Sequence, residues 1–159
     1  MALRFHRMSL HKFSKRTRLA CSAQQLFDWH ARPEAFMELQ PPWERVEQLG
    51  SPEQLHEGQL VRIRIRVGPL ALRWDSLISE LSRPAGFTDV QKHGPFTYWR
   101  HRHSFVDNKT GGCTLHDQIE YGLPLGWLGE LVAGQMVRQR LERMFSYRHA
   151  VMLDRFGSG

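Results

Sequence analysis

The stretch 59-QLVRIRIRVG-68 limits the possible folds more than any other. Val61, Ile63, Ile65 and Val67 alternate with Arg62, Arg64 and Arg66. A period of two residues separates apolar from charged side chains only in a strand, never on a helix. The stretch is therefore a half-buried antiparallel strand with one wet face, and it needs partners. The flanking sequence supplies them. Gly68-Pro69 turns into 70-LALRWDSLISEL-81, Pro84-Ala85-Gly86 into 87-FTDVQK-92, and Gly94-Pro95 into 96-FTYWRHRHSF-105. The loop 107-DNKTGG-112 then leads to 113-CTLHDQIEYGL-123. Upstream, 43-WERVEQLG-50 is a further strand, and 11-HKFSKRTRLA-20 sets Phe13, Lys15, Thr17 and Leu19 on one side of another. Links this short between neighbouring strands make an antiparallel meander.

The remaining elements are helical. Ser22 and Gln25 form a capping box ahead of Leu26, Phe27 and Trp29, and Pro33 opens a second short helix that Pro41-Pro42 stops. After Pro124 a long helix over about 126–154 carries Leu128, Val132, Val137, Leu141, Met144, Phe145, Val151 and Met152 at helical spacing. A meander must cover its apolar face, and this helix is the one element long enough to do so. Residues 1–159 thus read as a single α+β domain: strand about 11–20, short helices about 22–39, six strands about 43–123, long helix about 126–154.

Composition narrows the function classes. Two cysteines, Cys21 and Cys113, are too few for a disulfide scaffold and lack CxxC spacing, which fits a reducing cytoplasm and inert thiols. The formal charge is +6, and no acid precedes Asp28. That start has the Arg/Ser-rich, acid-free character of a transit peptide, but strand alternation over 11–20 argues for structure there. No secretory apolar core and no membrane-length apolar run occurs. A basic balance raises a partner-binding module that docks RNA or an acidic protein, with Arg62, Arg64 and Arg66 as a phosphate-facing row. The same row is the solvated outer face that a half-buried strand requires, so nucleic acid is not the expected partner.

Four segments, 29-WHARPEAFMELQPPWE-44, 94-GPFTYWRHRHSF-105, 111-GGCTLHDQIEYGLPLGWLG-129 and 137-VRQRLERMFSYRH-149, together with the element order, resemble the START-like (SRPBCC) helix-grip superfamily. The nearest likeness is to an uncharacterised bacterial branch of polyketide cyclase/dehydrase-like ligand-binding domains. Some members of that branch are fused to sugar-nucleotide epimerase-like proteins. The resemblance implies a curved antiparallel seven-stranded sheet wrapped around the C-terminal helix. It also implies a deep cavity between them for a small hydrophobic or amphipathic molecule such as a lipid, and a functional link to an epimerase-like protein.

Strand phase says which side chains would face that cavity. On 96–105 one face carries Trp99, His101, His103 and Phe105, and the other carries Tyr98, Arg100, Arg102 and Ser104; the arginines mark the outside. On 113–123 Leu115, Asp117, Ile119 and Tyr121 share the apolar-rich face. Inner residues must oppose inner residues, and two registers satisfy this: His103 opposite Asp117, or His101 opposite Asp117. Either sets a carboxylate beside an imidazole. By resemblance Asp89 and Gln91 also face inward; on the long helix, Met136, Arg140 and Tyr147 either line the cavity or pack in the helix core. The ligand site expected is Trp99, His101, His103 and Asp117, with Asp89, Tyr121, Gln91 and Met136. A loop over 122–129 would gate it.

Two other chemistries use the same residues. A His oriented by Asp117 could move a proton in a cyclase- or dehydratase-like reaction, with His101, His103 and Asp117 as the candidates. His-x-His supplies two metal ligands and Asp117 could be a third, but spacing positions no further His, and neither metal nor cofactor is expected. Ligand binding is the expected function.

Overall fold

A computed structural model describes residues 10–124 and 126–159, without the side chains of 126–132. Of the transit-like, acid-free start, residues 1–9 lie outside the described residues, and the rest forms the first strand and the beginning of the first helix. The strands are β1 (Leu10–Leu19), β2 (Arg45–Leu49), β3 (Leu60–Val67), β4 (Leu70–Ser82), β5 (Gly86–His93), β6 (Tyr98–Asp107) and β7 (Cys113–Gly122). The helices are α1 (Ala23–His30), α2 (Ala35–Glu38) and α3 (Gly126–Phe156). All seven strands form one antiparallel sheet in the order β1-β7-β6-β5-β4-β3-β2. The meander expected from short links is present, and β1 closes it by pairing with the last strand.

The local signals act as the sequence implies. Ser22 Oγ accepts from the Gln25 amide at 3.2 Å, while Gln25 Oε1 accepts from the Ser22 amide at 2.9 Å. The Ala23 amide donates to Asp107 Oδ1 at 2.7 Å, which fixes the start of α1 to the end of β6. Register shifts at Asp75/Ser76 and Ser79/Ser82 interrupt the β4–β5 ladder and add bend and twist to the sheet. On α3, Leu141, Phe145, His149 and Met152 are buried, one stripe with three- and four-residue spacing laid against the concave sheet face. Burying a Phe145 or Leu141 side chain contributes roughly 1.5–3 kcal/mol each. Cys21 and Cys113, far apart in sequence, bring their Sγ atoms to 3.9 Å inside the core, and burial raises both thiol pKa values, Cys113 to about 12.

The concave face is unevenly covered. Over β1, β6 and β7, the side chains of Phe13, Trp99, Phe105, Leu115, Ile119 and Tyr121 are buried. On the inner side of β3 and β4, Val61, Ile63, Ile65, Leu72 and Trp74 are half-buried.

Gly86 depends on having no side chain. Its φ is +136°, and a Cβ there would collide with the His103 carbonyl. Gly86→Ala is expected to destabilise the domain by more than about 1 kcal/mol in urea unfolding. Ala at Gly58, which has open space around it, should cost less despite its own positive φ of 79°.

Candidate functional site

Period-two alternation on β6 and β7 directs Trp99, His101, His103, Asp117 and Tyr121 inward, as expected. Of the two registers left open by phase, the sheet uses His103 opposite Asp117, and Asp89 of β5 lies opposite His101. The result is a closed polar ring. His101 donates from Nε2 to Asp117 Oδ1 at 2.8 Å and from Nδ1 to Asp89 Oδ2 at 3.1 Å. His103 turns Nδ1 to Asp117 Oδ1 at 2.9 Å and Nε2 to Asp89 Oδ2 at 3.4 Å. The two rings lie 3.8 Å apart between centroids.

Two further side chains extend the ring. His149 of α3 donates from Nε2 to Asp117 Oδ2 at 2.8 Å and receives the Thr17 hydroxyl at Nδ1, 2.7 Å away. Trp99 donates from Nε1 to Asp89 Oδ1 at 3.2 Å. Asp117 is 4% exposed and His101 3%, so these charges are out of water and are stabilised by each other. Burial opposes ionisation of both carboxylates, yet the adjacent His101 and His103 hold Asp89 and Asp117 well below the usual carboxylate range. Burial likewise opposes the charge on His101, but Asp89 and Asp117 outweigh it and raise its pKa to about 9.

Sequence reading missed His149, His30 and Arg148. His149 continues the Leu141–Phe145 stripe by four residues, a spacing that could have flagged it as inward-facing. His30 ends α1 and donates from Nδ1 to the Leu26 carbonyl at 2.8 Å; burial, then repulsion by His103, pushes its pKa down to about 4. Arg148 is half-buried, with Nη2 donating to Gln40 Oε1 at 3.2 Å and Nε without a partner; burial lowers its pKa.

The implied deep cavity is not present among these groups. Packing of Phe145, Met152 and Leu115 leaves about 20 Å³ beside His30, His103, Asp117, Arg148 and His149, room for about one water. Met136 is 64% exposed and lines no interior wall, because it projects from α3 off the buried stripe. Tyr121 is 2% exposed, packed among Phe96, Trp99 and the His11 ring rather than at a mouth. Gln91 holds the β5–β6 connection: it donates to the Phe96 carbonyl at 2.8 Å and accepts from the Phe96 amide at 3.4 Å. The gate expected over 122–129 is reduced by the start of α3 at Gly126, and Leu125 and the side chains of 126–129 lie outside the described residues. Arg62, Arg64 and Arg66 stand exposed on the convex face, with Arg64 paired to Glu47 at 2.8 Å.

Metal-ligating atoms do converge: Asp89, His101 and His103 each offer one within 4.8 Å of the others. The carboxylate on that side is Asp89, not the Asp117 that spacing suggested.

A curved seven-stranded sheet gripping a long C-terminal helix, with two short helices after the first strand, is the START/Bet v1-like helix-grip fold. The chain belongs to the family described as polyketide cyclase/dehydrase and lipid transport, whose model matches residues 19–145. Among solved structures it is similar to a norcoclaurine synthase point mutant from Thalictrum flavum bound to a transition-state analogue, with 12% identity over 93% of this chain and 97% of that one and a TM-score of 0.67. It is likewise similar to a START superfamily protein from Mycobacterium smegmatis, with 16% identity over 92% of this chain and 97% of that one and a TM-score of 0.67. The chain matches no curated protein.

Replacing Asp117 by Asn removes the charge that three imidazoles share. The expected loss is about 3–5 kcal/mol of stability by denaturant unfolding. Glu120→Gln, on the outer face beside Lys12, should change stability by less than about 0.5 kcal/mol.

Proposed function

We propose that residues 1–159 act as one ligand-binding domain that takes a small hydrophobic or amphipathic molecule against the half-covered concave face of β3 and β4. The observation that carries this reading is an aromatic corner with an accessible edge. Trp74 meets Trp99 edge-on at 4.9 Å, and Phe96 packs on Trp74 at 5.5 Å and Trp99 at 5.0 Å. Trp99 and Tyr121 form its buried back, whereas Trp74 and Phe96 stay half-buried and continue into Ile63, Ile65 and Leu72. Apolar side chains lining a concave surface, with a few polar groups alongside, are the ordinary composition of a small-molecule site. Gln91 serves such a site by holding Phe96, and Asp89 by orienting Trp99. The family's description, which includes lipid transport, supports the same ligand class.

The cyclase- or dehydratase-like reading draws less support. It needs an imidazole nitrogen free to reach a substrate, and all four ring nitrogens of His101 and His103 face carboxylates. No helix among the described residues is long and apolar enough to cross a membrane.

Binding of a fluorescent fatty-acid analogue should be saturable and should shift tryptophan emission. Trp74→Ala should weaken it about tenfold or more, since a large apolar contact is lost. Native mass spectra of gently purified protein should carry an apolar small-molecule adduct. Spectra that stay empty, together with no saturable titration, would overturn the reading.

A further inference from the structure

We propose that Asp89, His101 and His103 form a binding site for one divalent transition-metal ion, with Asp117 positioning both imidazoles. This goes beyond the ligand reading and stands without it. The first support is the donor geometry. Metal–ligand bonds to imidazole and carboxylate are about 2.0–2.2 Å, so two ligands on one ion stand roughly 3.0–3.4 Å apart. Asp89 Oδ2 lies 3.1 Å from His101 Nδ1 and 3.4 Å from His103 Nε2, edges of that length. The remaining edge, between the two imidazoles, is no longer than 4.8 Å.

The second support is independent of the first. Metal-bound histidines commonly donate their other ring N–H to a carboxylate, which fixes ring orientation. Here the second nitrogen of each ring, His101 Nε2 and His103 Nδ1, meets the same oxygen, Asp117 Oδ1, at 2.8 and 2.9 Å. Asp117 is itself anchored through Oδ2 by His149, and Asp89 through Oδ1 by Trp99. Each of the three ligand side chains is therefore held by a supporting contact at an atom other than the one it would give the ion, and the three inward atoms face one another.

Two imidazoles and one carboxylate select zinc, iron, cobalt or their neighbours over magnesium or calcium, which prefer oxygen alone. Three protein ligands leave the coordination sphere incomplete, so the ion would keep a position for water or a ligand atom. Binding releases to solvent the proton that His101 Nδ1 directs at Asp89.

The test uses the full chain stripped by chelator and titrated with Zn2+ and Co2+. The expected result is one equivalent bound, with visible d–d bands for Co2+. X-ray absorption of the zinc-loaded wild type should show two imidazoles and oxygen donors at about 2.0–2.2 Å. Asp89→Asn and His103→Gln, confirmed as folded by circular dichroism, should abolish uptake. Asp117→Asn should weaken it about 10–100-fold, and His116→Gln on the outer face should leave it unchanged. Less than one equivalent in the wild type, absorption without paired imidazoles, or uptake that survives both ligand substitutions would overturn the site. The wild-type absorption measurement decides the matter even if a variant fails to fold.

Discussion

One carboxylate organises this domain. Asp117, in the middle of β7, accepts from His101 and His103 of β6 at one oxygen and from His149 of α3 at the other. Through His149 the network reaches Thr17 on β1, and through the imidazoles it reaches Asp89 on β5. The sheet's central strands and the helix that covers them are thus joined by buried charge as well as by apolar contact. Removing such a charge leaves its partners desolvated without compensation, which gives the network a narrow choice of geometry. The helix must present His149 at one depth and one rotation, or the carboxylate loses a partner.

That constraint divides the concave face. Where the network pins α3, side chains from both layers interlock around Phe145, Met152 and Leu115 and leave a pocket of about 20 Å³ beside them. Towards β3 and β4 the apolar residues are only half-buried, and the aromatic corner of Trp74, Phe96, Trp99 and Tyr121 lies at the border. The charged cluster and the half-buried apolar side chains thus occupy different parts of the concave face, joined by the hydrogen bond from Trp99 to Asp89.

Much of this was legible from local pattern. The Arg/Ile alternation of β3, the capping box at Ser22 and the phase of β6 all act within a few residues, and each stands in the structure as read. Phase also brought the register down to two choices. What escaped was whatever depends on the docking of separate elements. Met136 and His149 both sit on α3, and only the packed helix shows that the first is exposed while the second is buried against Asp117. Gln91 read as a pocket residue, but the turn before β6 brings the Phe96 backbone to it first. Asp89 faced inward as the resemblance implied, yet its place opposite His101 depended on the β5–β6 register.

By itself, then, the sequence determined which side chains share a face, because the two-residue period of a strand and the 3.6-residue period of a helix are set by local backbone geometry. Only the tertiary structure decided which faces meet, at what depth, and therefore that four histidines and two aspartates gather where the alternation announced two histidines and one aspartate. Contacts across strands and between sheet and helix depend on register, twist and docking angle, which are settled by the whole core at once rather than by any one segment.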